Sequence, residues 1–369
     1  MSDQTEEGIF FGVFLSANHK KVLKKKRSTH KRYSFFYTLA KEAALSDIHL
    51  FFFSPEDVDL QKRQIINGLQ WNEKKDKWET ALFPFPNVFY ERIYLQNKQI
   101  DRIRATFKKL QIPSINALSS FDKLDVYKRL IKNKTVRHYL PPTKEVKTFE
   151  DVNRFLQTYH VIYLKKVLSS LGRGIVKVKE TDNKIYEYSY FRSRLRAHHV
   201  THPRQLKKPL NHFFRNKSYI AQKGIDLLEK ENRSIDFRAE VQRTGEDHIE
   251  ITGISARVGQ KKSPITVHSI ALPFEDFLRT ELDYTNEQII ELKEKAETFL
   301  LAIYTALEDA YGRFGEMGID FGIDKDENIW FIESNSKSAK VSFEKSYGKK
   351  GLQRNAQQLL NYADFLVKI

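Results

Sequence analysis

Apolar residues along this chain fall into runs with two different periods, and the alternation of those periods outlines the fold. "IFFGVFLS" (Ile9–Ser16) and "IHLFFFSP" (Ile48–Pro55) are short continuous apolar runs, the pattern of buried strands. Between them "SFFYTLAKEAALS" (Ser34–Ser46) carries apolar residues at helical spacing, with Ser34 as a candidate N-cap. Strand, helix, strand predicts a parallel α/β unit. "GLQWNEKKDKWETALFPFPNVFYERIY" (Gly68–Tyr94) predicts a hairpin or meander around a charged turn.

Further along, "SFDKLDVYKRLIKNK" (Ser120–Lys134) predicts a basic helix, and the paired prolines of "YLPPTKEV" enforce an extended connection. "TFEDVNRFLQTY" (Thr148–Tyr159) has Thr148 and Asp151 at capping-box spacing. The stretch His160–Tyr190 reads as strand, loop, strand, turn, strand, and "YIAQKGIDLL" (Tyr219–Leu228) as a short strand running into a loop. "DFRAEVQRTGEDHIEITGISARVG" (Asp236–Gly259) alternates on both arms of a Thr-Gly turn and predicts a hairpin. Asn286–Gly312 is one long amphipathic helix. Two strands then flank the turn of "GIDFGIDKDENIWFIESNSK" (Gly318–Lys337), and a helix begins at Gly351. No period of 20–50 residues recurs, so a solenoid is not expected.

Composition narrows the chemistry. The 369 residues suffice for two or three domains with their own cores. The absence of cysteine excludes disulfides, zinc–thiolate sites and thiol catalysis. The N-terminus opens acidic, without the basic start and apolar core of a signal peptide, and no run is long enough to span a bilayer. The expectation is a soluble, cytoplasmic protein. A formal charge of +16 favours anionic partners, and the excess is concentrated in Lys20–Arg32 and in Arg192–Lys217, which holds no acid. Either block is a solvated loop or a surface for a large anion. An acidic polymer is the partner that residues 192–217 would suit, and nucleic acid is the weaker expectation.

Four constellations carry candidate chemistry. In "LKKVLSSLGRGIVKV" (Leu164–Val178), Lys165 and Lys166 end a strand, and Ser169, Ser170, Gly172 and Gly174 form a loop whose N–H groups could approach phosphate oxygens. It is not a Walker loop, and a plain glycine-rich hairpin turn would also explain it. In the Gly318–Lys337 stretch, Glu333 and Asn335 share a strand face, and a preceding antiparallel strand can bring Asp320 alongside. Two carboxylates and an amide oxygen suit Mg2+ or Mn2+; a polar cluster satisfied by backbone N–H groups is the alternative. Arg238 and Arg257 lie within alternating strands and need an anionic partner, either a phosphate or carboxylate ligand or a salt bridge to Glu240 or Glu250. In "AQKGI" (Ala221–Ile225), a strand passing into a loop could offer backbone groups to an adenine edge.

The order of these signals resembles the ATP-grasp superfamily from about Ser120 to the C-terminus, with an α/β domain ahead of it. Within it, "YIAQKGIDLL", "DFRAEVQR", "EITGISARVG" and "GIDFGIDKDENIWFIESNSK" look most like the YheC/YheD endospore coat-associated protein family. The resemblance implies a mixed α/β (α+β) fold. An α/β domain over residues 1–118 would precede an ATP-grasp domain over 119–369, whose lid subdomain spans about 143–222. It implies ATP and Mg2+ (or Mn2+) as cofactors. Lys123 and Lys165, with Lys166 as the alternative to Lys165, would bind phosphates, and Ser169–Gly174 would cover them. Lys223, Gly224 and Ile225, with Gln222 beside them, would be the adenine hinge, and Asp236 would face the ribose. Arg238 and Arg257 would act on phosphate or an acyl phosphate, and Asp320, Glu333 and Asn335 would hold the metal. The activity implied joins an unknown carboxylate to an unknown amine, with spore coat proteins as further partners. Two segments leave the ligase pattern, "PITVHSIAL" (Pro264–Leu272) and "NSKSAK" (Asn335–Lys340), where phosphate or acceptor would sit. An ATP-binding structural protein of the spore coat without turnover is therefore the alternative.

Overall fold

A computed structural model describes residues 8–25, 33–169, 174–261, 263–265 and 270–369. Three sheets organise them. The first has strands β1 (Ile9–Phe14), β2 (Ile48–Phe53), β3 (Val58–Asp59), β4 (Gln64–Asn72), β5 (Lys77–Pro84) and β6 (Val88–Glu91), in the order β3-β4-β2-β1-β6 with β5 on β4. Strand β1 runs parallel to both β2 and β6, as the strand–helix–strand pattern predicts. Helices α1 (Ala17–Lys25), α2 (Ser34–Ala43) and α3 (Lys98–Lys109) complete this part. Helix α2 is capped at Tyr33 rather than Ser34. The Ser34 hydroxyl instead donates to Glu344 Oε2 at 2.6 Å.

Helix α4 (Lys123–Leu130) leads to the second sheet. It contains β7 (Thr143–Glu145), β8 (Val161–Lys166), β9 (Ile175–Glu180), β10 (Tyr186–Phe191), β11 (Leu195–Val200) and β12 (Tyr219–Lys223), in the order β11-β10-β9-β8-β12-β7. Helix α5 (Phe149–Tyr159) starts with the expected Thr148–Asp151 capping box. Together with α6 (Lys207–Phe214) it covers one face of this sheet, burying Val152, Leu156, Leu210 and Phe214. Residues 192–217 are therefore not a solvated loop. They form β11, a 3-10 turn and α6, because Leu206, Leu210, Phe213 and Phe214 supply an apolar stripe. The other basic block continues α1 through Lys25, with Lys20 paired to Asp57 at 2.5 Å; residues 26–32 lie outside the described residues.

The third sheet comprises β13 (Glu229–Lys230), β14 (Arg233–Arg243), β15 (Ile249–Val258), β16 (Ile270–Pro273), β17 (Glu316–Ile323) and β18 (Ile329–Asn335), in the order β16-β15-β14-β17-β18 with β13 on β14. One face is apolar: Ile235, Phe237, Ala239, Val241, Ile319 and Phe321 are fully buried against α7 (Phe274–Leu282) and α8 (Asn286–Tyr311). Because side chains alternate, the intervening positions all fall on the other face, and these carry the charges. Helix α9 (Val341–Lys368) begins ten residues before the expected helix and is broken at Gly348, whose φ of 63° suits a residue without a side chain. Its Phe343, Leu352, Leu359 and Leu360 join Phe11, Phe36 and Leu39 in one core, tying the first sheet to the chain's end.

Candidate functional site

Cross-strand register assembles the charged face of the third sheet. Asp236 lies opposite Arg257, Arg238 opposite Asp320, and Asp320 opposite Glu333. Arg257 donates Nε and Nη2 to Asp236 at 2.6 and 2.7 Å, and its Nη2 is 3.3 Å from Asp320 Oδ2. Arg238 donates Nη2 to Asp320 Oδ2 at 2.6 Å and Nε to Oδ1. Burial alone would raise the Asp320 carboxyl; the guanidiniums of Arg238 and Arg257 outweigh it and hold Asp320 below its ordinary range. The arginines' partners are thus Asp320 and Asp236, not the glutamates offered by the sequence. Glu240 pairs with Lys340, and Glu250 with Arg354 and Gln358.

The second sheet supplies the facing wall. Lys165 is buried and donates to Gln222 Oε1 at 2.6 Å, while Gln222 donates to Thr143 Oγ1 at 3.0 Å. Lys166, one position on, points to the opposite face and sits 5.3 Å above the Phe213 ring, so Lys165 is the strand lysine in the cleft. Lys123, at the start of α4, donates to Ser169 O at 2.9 Å and lies 3.4 Å from Glu333 Oε2. Burial pushes Lys165 down from 10.5 to about 8; Glu333 and Asp320 oppose that shift and Lys123 adds to it. Lys123, Lys165, Arg238 and Arg257 thus meet the carboxylates of Asp236, Asp320 and Glu333, leaving one positive charge uncompensated within this set.

Between the walls is a narrow cleft. Phe121, Val126, Tyr127, Leu140, Pro141, Ile220, Phe331 and Ile332 form its apolar lining, and Lys123, Lys165, Gln222, Glu333 and Ser334 its polar one. An apolar slot with a few convergent polar groups is the usual form of a small-molecule site. The apolar lining escaped the sequence reading because residues such as Phe331 have the spacing of core residues. Lys223, Gly224 and Ile225 adjoin this cleft rather than line it. The N–H groups of Lys223 and Gly224 are bonded to Pro142 O and Val161 O, both at 2.8 Å. Gly224 is required there, since a Cβ would stand 2.6 Å from Val161 Cγ1 and 3.0 Å from Val161 O. Gly174 accepts from Lys166 N at 2.9 Å; Ser170 and Gly172 lie outside the described residues.

Asn335 donates weakly to Glu333 Oε1 at 3.4 Å, and both project from the same face of β18. Among the described residues, no three carboxylate, histidine or cysteine side chains converge as a ready-made cage. The donors present are Glu333, the Asn335 amide oxygen and Asp320, whose Oδ1 retains a lone pair beyond its arginine contact. Such a sparse set of hard oxygens fits Mg2+, which protein carboxylates hold together with phosphate and water oxygens.

The "NSKSAK" tail forms a polar knot that the sequence did not reveal. Lys340, 2% exposed, lies 2.6 Å from Glu240 Oε2 and 3.0 Å from Glu316 Oε2. Glu316 also accepts from Tyr90 and lies 3.3 Å from Arg92, whose Nη2 donates to Ser338 O at 2.9 Å. The Ser338 hydroxyl donates to Glu240, and Lys337 donates to Ile93 O. Charged positions within apolar strands at Glu240 and Glu316 were the available signal. Of "PITVHSIAL", residues 266–269 lie outside the described residues.

A family model described as YheC/D-like ATP-grasp matches residues 111–366. The chain belongs to the YheC/D-like ATP-grasp family. It is 27% identical over 290 residues to endospore coat-associated protein YheD of Bacillus subtilis, covering 75% of this chain and 62% of YheD. It is 22% identical over 315 residues to YheC of the same organism, covering 82% and 84% of the two chains. The chain thus spans less than two thirds of YheD. Among solved structures, D-alanyl-alanine synthetase A from Vibrio cholerae superposes with a TM-score of 0.60 at 11% identity, over 98% of this chain and 99% of that one. VanG D-Ala:D-Ser ligase from Enterococcus faecalis gives 0.55 at 13%, over 98% and 100%. These structural likenesses establish an ATP-grasp fold for this YheC/D-like chain. Among the described residues no helix is long and apolar enough to cross a membrane.

Proposed function

We propose that this chain is an ATP- and Mg2+-dependent carboxylate–amine ligase, with Mn2+ able to replace Mg2+. The observation that carries the reading is the convergence of Lys123 and Lys165 on Glu333 at the edge of an apolar cleft, beside the Arg238–Asp320–Arg257 cluster. The slot lined by Phe121, Tyr127, Leu140 and Phe331 would take the adenine, and its edge would reach backbone groups beyond the Lys223 and Gly224 N–H groups that are already bonded. Lys123 and Lys165 would hold the phosphates, and Glu333, Asn335 and Asp320 would hold the metal. Mg-ATP supplies an activated phosphoryl group: a substrate carboxylate oxygen attacks the γ-phosphorus and ADP leaves. The amine nitrogen then attacks the acyl carbon, phosphate leaves and the amine releases a proton. Arg238 and Arg257 stabilise the charge that develops in both steps, with Asp236 keeping Arg257 oriented.

A second reading has its own support. Ser338, Lys337 and Lys340 are bound to Glu240, Ile93 and Glu316, so none is free to meet an acceptor. An ATP-binding structural protein of the spore coat would need no such acceptor group. The relatives' names, endospore coat-associated proteins, support a place at the spore coat under either reading; assembly in the cytoplasm with coat proteins as partners is part of this proposal. ADP formation measured across a panel of amino acids and peptides separates the two. Acceptor-dependent ADP release supports the ligase; nucleotide binding with no turnover on any acceptor supports the structural protein.

The depressed Lys165 gives a pH signature. Titrating at about 8, its charged fraction falls from roughly nine-tenths at pH 7 to one-tenth at pH 9, so Mg-ATP affinity should fall by up to about tenfold across that range. Phosphate raises the lysine's pKa, so binding above pH 8 should take up a proton. Apo stability has the opposite sign. The unfolded chain keeps this proton to higher pH, and the Lys165 contribution to stability rises with pH between about 8 and 10.5. Calorimetry in buffers of different ionisation enthalpy reads the proton directly. A flat affinity profile, or proton uptake that persists in Lys165→Met, would contradict the assignment.

A further inference from the structure

Residues 192–217 contain eight lysines and arginines and no acid, and the strand register shows where some of them gather. Lys165 pairs with Ile175, Val176 with Tyr190, and Phe191 with Leu195. The tip of the β10–β11 hairpin, closed by Arg192 N donating to Arg194 O, therefore lies at the end of the sheet that carries Lys166, Ser169 and Gly174. Tyr219 opposite Lys166 brings Lys217 to the same end. Arg192, Arg194, Arg196 and Lys217 are exposed, and among the described residues none is ion-paired with a carboxylate. Strand β11 is also a sheet edge, with one side of its backbone facing no strand.

Charged edge strands commonly serve only to prevent aggregation. That role does not require charges of one sign, nor their placement at the end of the sheet that carries Lys166, Ser169 and Gly174. We infer that this rim docks a carboxylate-rich polypeptide, laid along β11 as an added strand with one end directed toward the cleft. Backbone pairing supplies the sequence-tolerant part of such recognition, and the arginines select acidic side chains. The choice of a carboxylate-bearing partner rests on the ligase reading of the neighbouring site. Single-stranded nucleic acid fits less well, because it binds through free aromatic faces. Two of the nearby rings are already engaged, Tyr190 with Phe213 at 5.0 Å and Tyr188 with His198 at 5.1 Å, which leaves Phe191 too isolated to stack successive bases.

The test is fluorescence anisotropy of a labelled oligoglutamate peptide with the full chain at physiological ionic strength. A polyserine peptide and single-stranded DNA of equal charge serve as controls, and the variant is Arg192→Ala/Arg194→Ala/Arg196→Ala. The expected result is binding of oligoglutamate over both controls, weakened roughly tenfold in the triple variant, the scale of three exposed ion pairs. Thermal unfolding and Mg-ATP affinity should match wild type. If neither protein binds Mg-ATP the ligase reading fails, while the peptide result still decides the docking surface. Absent peptide binding, a loss below about threefold, or DNA binding as tight as peptide would overturn the inference.

Discussion

Replacing Lys340 with methionine should remove about 3–5 kcal/mol of folding stability, the usual cost of deleting one partner of a buried ion pair. The side chain enters the interior from a left-handed residue (φ 55°) at the start of α9 and stands between Glu240 of β14 and Glu316 of β17. Both glutamates are fully buried. Methionine fills much of the same volume but removes the only cation ion-paired with Glu240 among the described residues, leaving the Ser338 hydroxyl in contact and the Arg238 guanidinium at longer range. Glu316 retains Tyr90 and Arg92. Adding Glu240→Gln to Lys340→Met should recover part of the loss, because a buried amide left short of partners costs less than a carboxylate. Urea unfolding measures both. A loss under about 1 kcal/mol, or a double variant weaker than the single one, would show that the knot contributes packing rather than charge.

Lys165→Met should weaken Mg-ATP binding roughly 10- to 150-fold, the ~1.5–3 kcal/mol of a charge-assisted hydrogen bond to phosphate. Of the two adjacent lysines only Lys165 faces the cleft, so Lys166→Met serves as the matched control and should leave affinity near wild type. Stability should change little with Lys165→Met, because relief of the ammonium's burial penalty offsets the lost hydrogen bond to Gln222 Oε1. Burial already disfavours the charged ammonium, as its depressed pKa shows, and the substitution removes that penalty. Equal losses from both lysine variants, or none from either, would remove Lys165 from the phosphate site.

The contrast between those two lysines shows what the sequence could and could not convey. Two-residue periodicity predicted that Glu333 and Asn335 share a face, and the register then set Asp320 opposite Glu333. It could not say which of two consecutive lysines points inward, because that depends on which face of the second sheet α5 and α6 cover. The arginines' need for an anion was legible, but its source was not. Asp320 lies 82 residues from Arg238, and only the pairing of β14 with β17 joins them. Residues 192–217 misled in the other direction, since their charges mask the apolar stripe of Leu206, Leu210, Phe213 and Phe214. The Lys340 knot was unreadable for a related reason. Its partners come from β14, β17 and Arg92 just past β6, and the lone charges of Glu240 and Glu316 within apolar strands marked two buried positions without showing what meets them.

The function proposed for the chain depends on the cleft between the second and third sheets being a Mg-ATP site. Its most direct test is a crystal structure with a non-hydrolysable ATP analogue and Mg2+. Adenine is expected between Tyr127 and Phe331, phosphate oxygens within hydrogen-bond reach of Lys123 and Lys165, and a metal ion touching Glu333 and Asn335. An analogue bound elsewhere, or a cleft left empty at saturating analogue, would contradict it.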